Sequence, residues 1–316
     1  MRYLPLGSSG LTVSQLGLGC SNFGARLDAD ASGQAVEAAL DAGVTFFDTA
    51  DIYGNGGYSE KFLGSALKGR RDQVVIATKF GWGGIDMGYG PAAGAPGGRS
   101  YIRRAVEGSL RRLGTDYIDL YQIHTPDPVT PVSETLAALS ELVTEGKVRY
   151  IGSSNYAGWQ IALAEHTARE LGCTAYVSAQ NEWSVLDRRI EAEVVPAASH
   201  YGIGIIPCWP LANGLLTGKY RTLDDIPANS RFAGMGSDYV TPEKLAVVNA
   251  LADWAERQGR TSLEVALGYL AGQPTCGPVI AGAMSPKQVE QNASALEWVP
   301  TPAELQEIEA LATLCP

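Results

Sequence analysis

Eight short runs of β-branched and other apolar residues recur along this 316-residue chain, and helix-length segments separate them. The runs cover residues 15–19, 44–48, 74–79, 117–124, 148–153, 176–180, 203–208 and 279–282. Between them, apolar residues fall at three- and four-residue spacing, as in 32–42, 101–113, 132–145 and 159–171. Strands that are nearly continuous in apolar residues suit a parallel sheet buried on both faces. Strand–helix alternation over eight units predicts an α/β fold of the (β/α)₈ TIM-barrel type. A doubly wound sheet is the competing arrangement. It would want a glycine fingerprint after its first strand, and Gly17, Gly19 and Gly24 do not match G-x-G-x-x-G. The first ten residues, with Gly7 and Gly10 as turn formers, read as part of a small hairpin that could plug the N-terminal mouth of the barrel. A C-terminal helix is expected to close the chain. No linker or shift of composition divides it, so residues 1–316 are read as one domain.

Hydrophobic residues make up 45% of the chain and charged residues 18%, which suits a large core and argues against disorder. The formal net charge of −10 makes nucleic-acid binding through a basic face an unsuitable reading. The N-terminal stretch has no long apolar run after a basic segment, and no stretch reaches ~18 consecutive apolar residues, so neither a signal peptide nor a membrane span is expected. The five cysteines, Cys20, Cys173, Cys208, Cys276 and Cys315, are odd in number and contain no C-x-x-C. Reduced thiols in a cytoplasmic protein are the simplest account.

Four side chains stand out at or just past predicted strand ends: Asp48, Tyr53, Lys79 and His124. In a parallel barrel those ends share one rim, where such barrels do chemistry. Adjacent strands lie ~4.8 Å apart, so Asp48 and Lys79 can pair. A lysine ammonium beside a phenol favours the phenolate and should lower the Tyr53 pKa from ~10. A tyrosine tuned that way serves as a general acid, and His124 can donate a hydrogen bond to the same substrate oxygen as it gains charge. Each residue alone has a plainer reading: a loop carboxylate, a rim aromatic, a solvated lysine, a loop histidine. Their common position and mutual chemistry favour a proton-delivery site. Nothing in the group looks like a metal site or a nucleophile.

The segments FDTADIYGNGGYSE, VVIATK, DYIDLYQIH, VRYIGSSNY, AQNEWS, PLANGLLTGKY and IAGAMSPKQVEQN follow one another in an order and spacing that resembles the aldo-keto reductase family along nearly the whole chain. The resemblance implies hydride transfer between a nicotinamide dinucleotide and a carbonyl or alcohol, with Tyr53 as acid/base, Lys79 and Asp48 tuning it, and His124 orienting the carbonyl. An intact His124 implies carbonyl reduction rather than the double-bond reduction of the branch that replaces it. The resemblance also implies a cofactor extended across the barrel mouth. Ser154, Asn155 and Gln180 would hold the carboxamide, with polar groups suited to it. Leu211, Asn213, Gly214, Leu215, Thr217 and Lys219 would face the pyrophosphate. Gly282, Ala283, Met284, Ser285, Gln288 and Asn292 would hold the adenosine half, beside a helix N-terminus that attracts phosphate.

Two departures from the family pattern bear on the cofactor. Many relatives stack an aromatic residue on the nicotinamide at the end of the seventh strand. Here Cys208 occupies that place and Trp209 follows it, and neighbouring strand residues point to opposite faces. Relatives also commonly carry an arginine or lysine near Met284 or Gln288 for the 2′-phosphate, and both are uncharged here. Lys287, Arg221 and Arg231 are the nearby cations. A phosphate without such a partner loses strong charge-assisted bonds. NADPH is the first expectation on family grounds and NADH the alternative.

An NAD(P)H-dependent reductase of aldehydes and ketones is the leading reading. An NAD-linked dehydrogenase of a sugar or other alcohol uses the same four residues. A cofactor-binding regulatory subunit, like the potassium-channel β-subunits that resemble this family, is a different class. A phosphate-handling isomerase would want a glutamate at a strand end, and none falls at a predicted one. The expected partner is a small carbonyl or sugar substrate, and the oligomeric state is not legible. The Gly-, Pro- and Ala-rich stretch 80–99 is too long for a plain connection and reads as a substrate-pocket loop, with Asn22, Phe23, Trp82, Tyr89 and Trp183 as pocket candidates. The stretch 220–241 is a second loop that could cover a phosphate.

Overall fold

A computed structural model gives the architecture; it describes residues 1–227, 232 and 239–313. A two-stranded antiparallel hairpin comes first, β1 (Tyr3–Pro5) and β2 (Thr12–Ser14). The chain then alternates through β3 (Leu16–Gly19), α1 (Ala29–Asp41), β4 (Phe46–Asp48), α2 (Tyr53–Ala66), β5 (Val75–Phe80), α3 (Arg99–Leu113), β6 (Ile118–Ile123) and α4 (Val132–Thr144). It continues through β7 (Val148–Ser154), α5 (Gly158–Leu171), β8 (Ser178–Glu182), α6 (Val194–Tyr201), β9 (Gly204–Cys208), α7 (Pro242–Arg257), α8 (Ser262–Ala271), β10 (Val279–Gly282), α9 (Pro286–Ala295) and α10 (Pro302–Ala312).

The 8-stranded sheet runs β10-β3-β4-β5-β6-β7-β8-β9, and every pairing in it is parallel. The last seam, between β9 and β10, is drawn together just before β10. There Ile205 N–H donates to Thr275 O at 2.9 Å and Gly277 N–H to Ile205 O at 2.6 Å. The eight strands therefore form a nearly closed (β/α)₈ barrel, with α10 as the C-terminal helix. Each strand foreseen from the sequence is present with ends shifted by at most two residues. One shift matters: β8 runs on to Asn181 and Glu182, so a glutamate does stand at a strand end. Glu182 does not line the central cavity.

Two apolar layers hold the barrel together. Between strands and helices lies the larger one, with Phe47, Ile76, Phe80, Tyr121, Ile151 and Leu267 fully buried. The barrel interior holds the smaller one: Phe46, Ala77, Leu120, Ile206 and Ile280 from the strands, with Leu6, Leu11 and Val13 from the hairpin. The hairpin thus plugs the N-terminal mouth, as its position predicts. Phe46 leaves no room opposite it: a Cβ on Gly17 would come within 2.8 Å of its ring. Helix starts are fixed by side-chain caps. Asp28 accepts from Ala31 N–H, and Thr261 and Thr301 each exchange bonds with a glutamate three residues on. No helix among the described residues is long and apolar enough to cross a membrane.

Candidate active site at the barrel rim

Register places the first pair. Asp48 ends β4 opposite Ala77 of β5, and Lys79 lies two residues further along. The Lys79 ammonium donates to Asp48 Oδ1, Asp48 Oδ2 and Thr49 O, each at 2.8 Å. Both side chains are buried. Gln180 Nε2 adds a further donor to Asp48 Oδ1 at 2.8 Å. The Tyr53 ring centroid is 5.1 Å from Lys79 Nζ, and the His124 ring meets Tyr53 edge-on at 5.7 Å. His124 N–H donates to Phe80 O at 2.7 Å, which fixes the backbone just past β6. Its Nδ1 has no hydrogen-bond partner among the described residues.

A tight turn delivers Tyr53. Gly54, Asn55, Gly56 and Gly57 all take left-handed backbone angles, and regular helix in α2 begins after them. Gly54 (φ +70°) packs so closely on the loop after β3 that a Cβ there would stand 2.4 Å from Phe23 O.

The charges are tuned mainly by burial. The Tyr53 phenol is pushed up to about 12: burial dominates, Asp48 and Cys208 add to it, and Lys79 pulls the other way. The expected fall below the ordinary phenol value is therefore corrected. The lysine acts as expected, but desolvation outweighs it. Burial lowers the Lys79 pKa, and Asp48, with Tyr53 and Cys208, more than reverses this, leaving a protonated ammonium. His124 drops to about 2, through burial first and the Lys79 charge second, so it is neutral.

Beside these groups opens a cavity of about 1330 Å³, larger than the roughly 300–1,000 Å³ of pockets for drug-sized ligands. Asp48 and Tyr53 form part of its wall, and the cavity runs outward between β9, β10 and the segments that follow them. Arg26, Lys219 and Lys287 bring positive charge to it, and Glu264, Glu290 and Glu297 negative charge. Thr261 and Arg260 engage Glu264.

The Aldo/keto reductase family model matches residues 15–313. The chain belongs to the aldo/keto reductase family. Among similar proteins, "Uncharacterized oxidoreductase YrpG" of Bacillus subtilis is 38% identical over 94% of this chain and 91% of its own. A "Probable voltage-gated potassium channel subunit beta" of Oryza sativa subsp. japonica is 37% identical over 98% and 96%. "Versiconal hemiacetal acetate reductase" of Aspergillus parasiticus is 31% identical over 98% and 96%.

In this aldo/keto reductase the expected cofactor residues fall into two groups. Gln180, Cys208, Trp209 and Leu211 line the cavity, as do Asn213, Gly214, Thr217 and Lys219, and then Gly282, Met284, Gln288 and Asn292. Ser154, Asn155, Leu215, Ala283 and Ser285 do not. Asn155 Nδ2 donates to His124 O at 2.9 Å and to Ser154 Oγ at 3.2 Å. Leu215 and Ala283 are packed in the core. Ser285 caps α9 by accepting from Gln288 N–H. Gln288 in turn accepts from Met284 N–H at 2.8 Å through its side-chain oxygen. Cys208 and Trp209 both reach the wall, because Trp209 takes a left-handed backbone (φ +59°) that breaks the strand alternation. The cation candidates separate as well. Lys287 lines the cavity, whereas Arg221 is held by Asp253 and Asn249 O. Arg231 lies outside the described residues.

The pocket candidates are corrected more heavily. Asn22 lines the cavity, and Trp82 stands edge-on to His124 at 4.6 Å. Phe23 is sealed in the core. Trp183 is buried with its Nε1 donating to Glu191. Tyr89 packs on Tyr101 instead. The reading from sequence missed Ser21 and Arg26, which line the cavity from the loop after β3. Their place just past a strand end was the available signal.

Proposed function

We propose that this chain reduces aldehydes or ketones to alcohols, with Tyr53 as the proton donor and NADPH as the first-choice cofactor, NADH being the alternative. The observation that carries this is the buried contact of Lys79 with both Asp48 oxygens, beneath a tyrosine ring 5.1 Å away. The cavity that Asp48 and Tyr53 help to line has room for a dinucleotide, with Lys219, Lys287 and Arg26 available to its phosphates. Bound there, the cofactor would supply the hydride.

The chain's own residues then account for the proton. At neutral pH Tyr53 keeps its proton, so the acid is loaded before a substrate arrives. As the carbonyl oxygen gains charge, Tyr53 gives up that proton, and the adjacent ammonium stabilises the phenolate left behind. Neutral His124 orients the same oxygen through its ring, and Trp82 beside it bounds the substrate's approach. The free Cys20, Cys173, Cys208 and Cys276 fit a reducing compartment, in keeping with a cytoplasmic location.

Oxidation of a sugar or other alcohol with NAD is the second reading. Uncharged Met284 and Gln288, with the Gln288 oxygen already engaged, favour it. The name of the Oryza sativa relative makes a regulatory subunit the third.

Fluorescence titration with NADPH and NADH, followed by carbonyl turnover, tests the proposal. Tyr53→Phe should lower kcat by about 10²–10⁴ with nucleotide affinity intact. Undiminished turnover in that variant would reject Tyr53 as the acid. Tight NADH binding with alcohol oxidation would favour the second reading, and binding without turnover the third.

A further inference from the structure

Beneath the Tyr53 turn lies a sealed group of ionisable side chains that the proposed proton transfer does not use. None of them is on the cavity wall. Asp51 and Glu60 are both fully buried. Glu60 is satisfied: Oε1 accepts from Thr78 Oγ1 at 2.5 Å and Oε2 from Arg112 Nε at 2.6 Å. Arg112 is thereby committed to Glu60, with a further bond to Ser109 Oγ. Asp51 differs. Neither of its carboxylate oxygens is engaged by another side chain among the described residues, and the donor beside them is the backbone N–H of the adjoining Ile52.

The backbone of Asp51 is hydrogen-bonded to β5 and packs closely against the far end of the Tyr53 turn. Its N–H donates to Lys79 O at 3.0 Å, and its carbonyl oxygen lies 3.1 Å from where a Cβ on Gly57 would stand. Tyr53 is two residues away. A carboxylate withdrawn from water with no side-chain partner of its own is strongly disfavoured, and such groups neutralise instead.

We propose that Asp51 positions the Tyr53 turn in its neutral, protonated form, and that ionising it displaces the turn together with the Tyr53 hydroxyl. The inference rests on the reading of Tyr53 as proton donor. The groups facing Asp51 are Glu60 from its own segment, Arg112 and Tyr101 from α3, Tyr121 from β6, Lys79 from β5, and Tyr89 from the loop 81–98. Burial first, then the Glu60 charge, lift the Asp51 carboxyl to about 7, while Arg112, the Ile52 backbone N–H and Lys79 pull it down. The unfolded chain releases this proton near pH ~4. Between that value and about 7 the folded protein binds the extra proton, so this group makes stability fall as pH rises through the window.

The test is hydrogen exchange by mass spectrometry on the full-length protein at pH 6 and pH 8, corrected for the chemical exchange rate. The neutral fraction of Asp51 falls about tenfold over that interval, so protection of residues 49–57 should fall by about that factor in the wild type. It should stay constant in Asp51→Asn. Protection that is independent of pH in the wild type, or that changes equally in Asp51→Asn, overturns the proposal. Neither readout needs turnover, so absence of carbonyl reduction would count against the proposed function and leave this test standing. Where turnover is found, kcat/KM should fall about tenfold from pH 6 to pH 8 in the wild type and in Asp51→Glu, but not in Asp51→Asn. A loss in Asp51→Asn that is uniform across pH would indicate a merely structural role and overturn the proposal.

Discussion

Tyr53 holds its proton more tightly than a free phenol does, although an ammonium stands beside it. The residue types of the site were legible in the sequence because each falls at a strand end, and strand ends are the most regular feature of such a chain. The direction of the Tyr53 shift was not legible. It depends on how much water the folded site excludes, and that is a tertiary quantity. The same burial makes a prediction for His124. Unfolded, its imidazole takes up a proton below pH ~6.5; folded, it stays neutral down to about 2. The unfolded state therefore binds more protons in this range, and stability present above pH 6.5 is lost as pH falls. His124→Gln removes that dependence. Urea unfolding at pH 7.5 and pH 5.0 should show the wild type losing about 2 kcal/mol more than the variant. Equal losses would mean that the imidazole is hydrated in solution.

Individual elements show where sequence reading stops. Strands such as β6 and β7 announced themselves by runs of β-branched and aromatic residues. The turn after β4 did not: YGNGG signals flexibility, whereas the structure fixes four successive residues in the left-handed region. Close packing against the loop after β3 determines that conformation, and no local pattern encodes it. Gly54 and Gly56 separate the two contributions. A Cβ on Gly56 (φ +91°) meets nothing within 4 Å, whereas one on Gly54 collides with Phe23 O. Gly56→Ala should cost about 1 kcal/mol through backbone strain alone. Gly54→Ala should cost at least about 2–3 kcal/mol and lower turnover as well, because the turn that carries Tyr53 must shift. Thermal unfolding of the two variants checks the order; equal losses would contradict the contact. The loop 81–98 was legible as a pocket loop only in part. Trp82 reaches His124, but Tyr89 turns inward onto Tyr101, a choice made by α3 rather than by the loop's own composition.

Across the molecule, stability and chemistry sit at opposite ends of one barrel. Leu6, Leu11 and Val13 fill the N-terminal mouth, and the reactive groups stand at the C-terminal rim, the usual division in such barrels. Leu6→Ala should therefore destabilise by about 2–5 kcal/mol and leave kcat/KM unchanged. Chemical denaturation and steady-state kinetics on the same sample check both halves. Altered kinetics with intact stability would mean that the hairpin is not a passive plug.

Asp48, Tyr53, Lys79 and His124 all come from the stretch spanning β4 to just past β6, whereas most of the cavity wall is built from β8 onward. The proposed proton donor and most of the cavity wall are thus written in successive lengths of chain. Under the proposed function, a recombinant gene that joins the first half of this protein to the second half of a relative should keep one parent's proton donor and take most of the other's cavity wall, with the Gln180–Asp48 hydrogen bond as the contact the two parents must share.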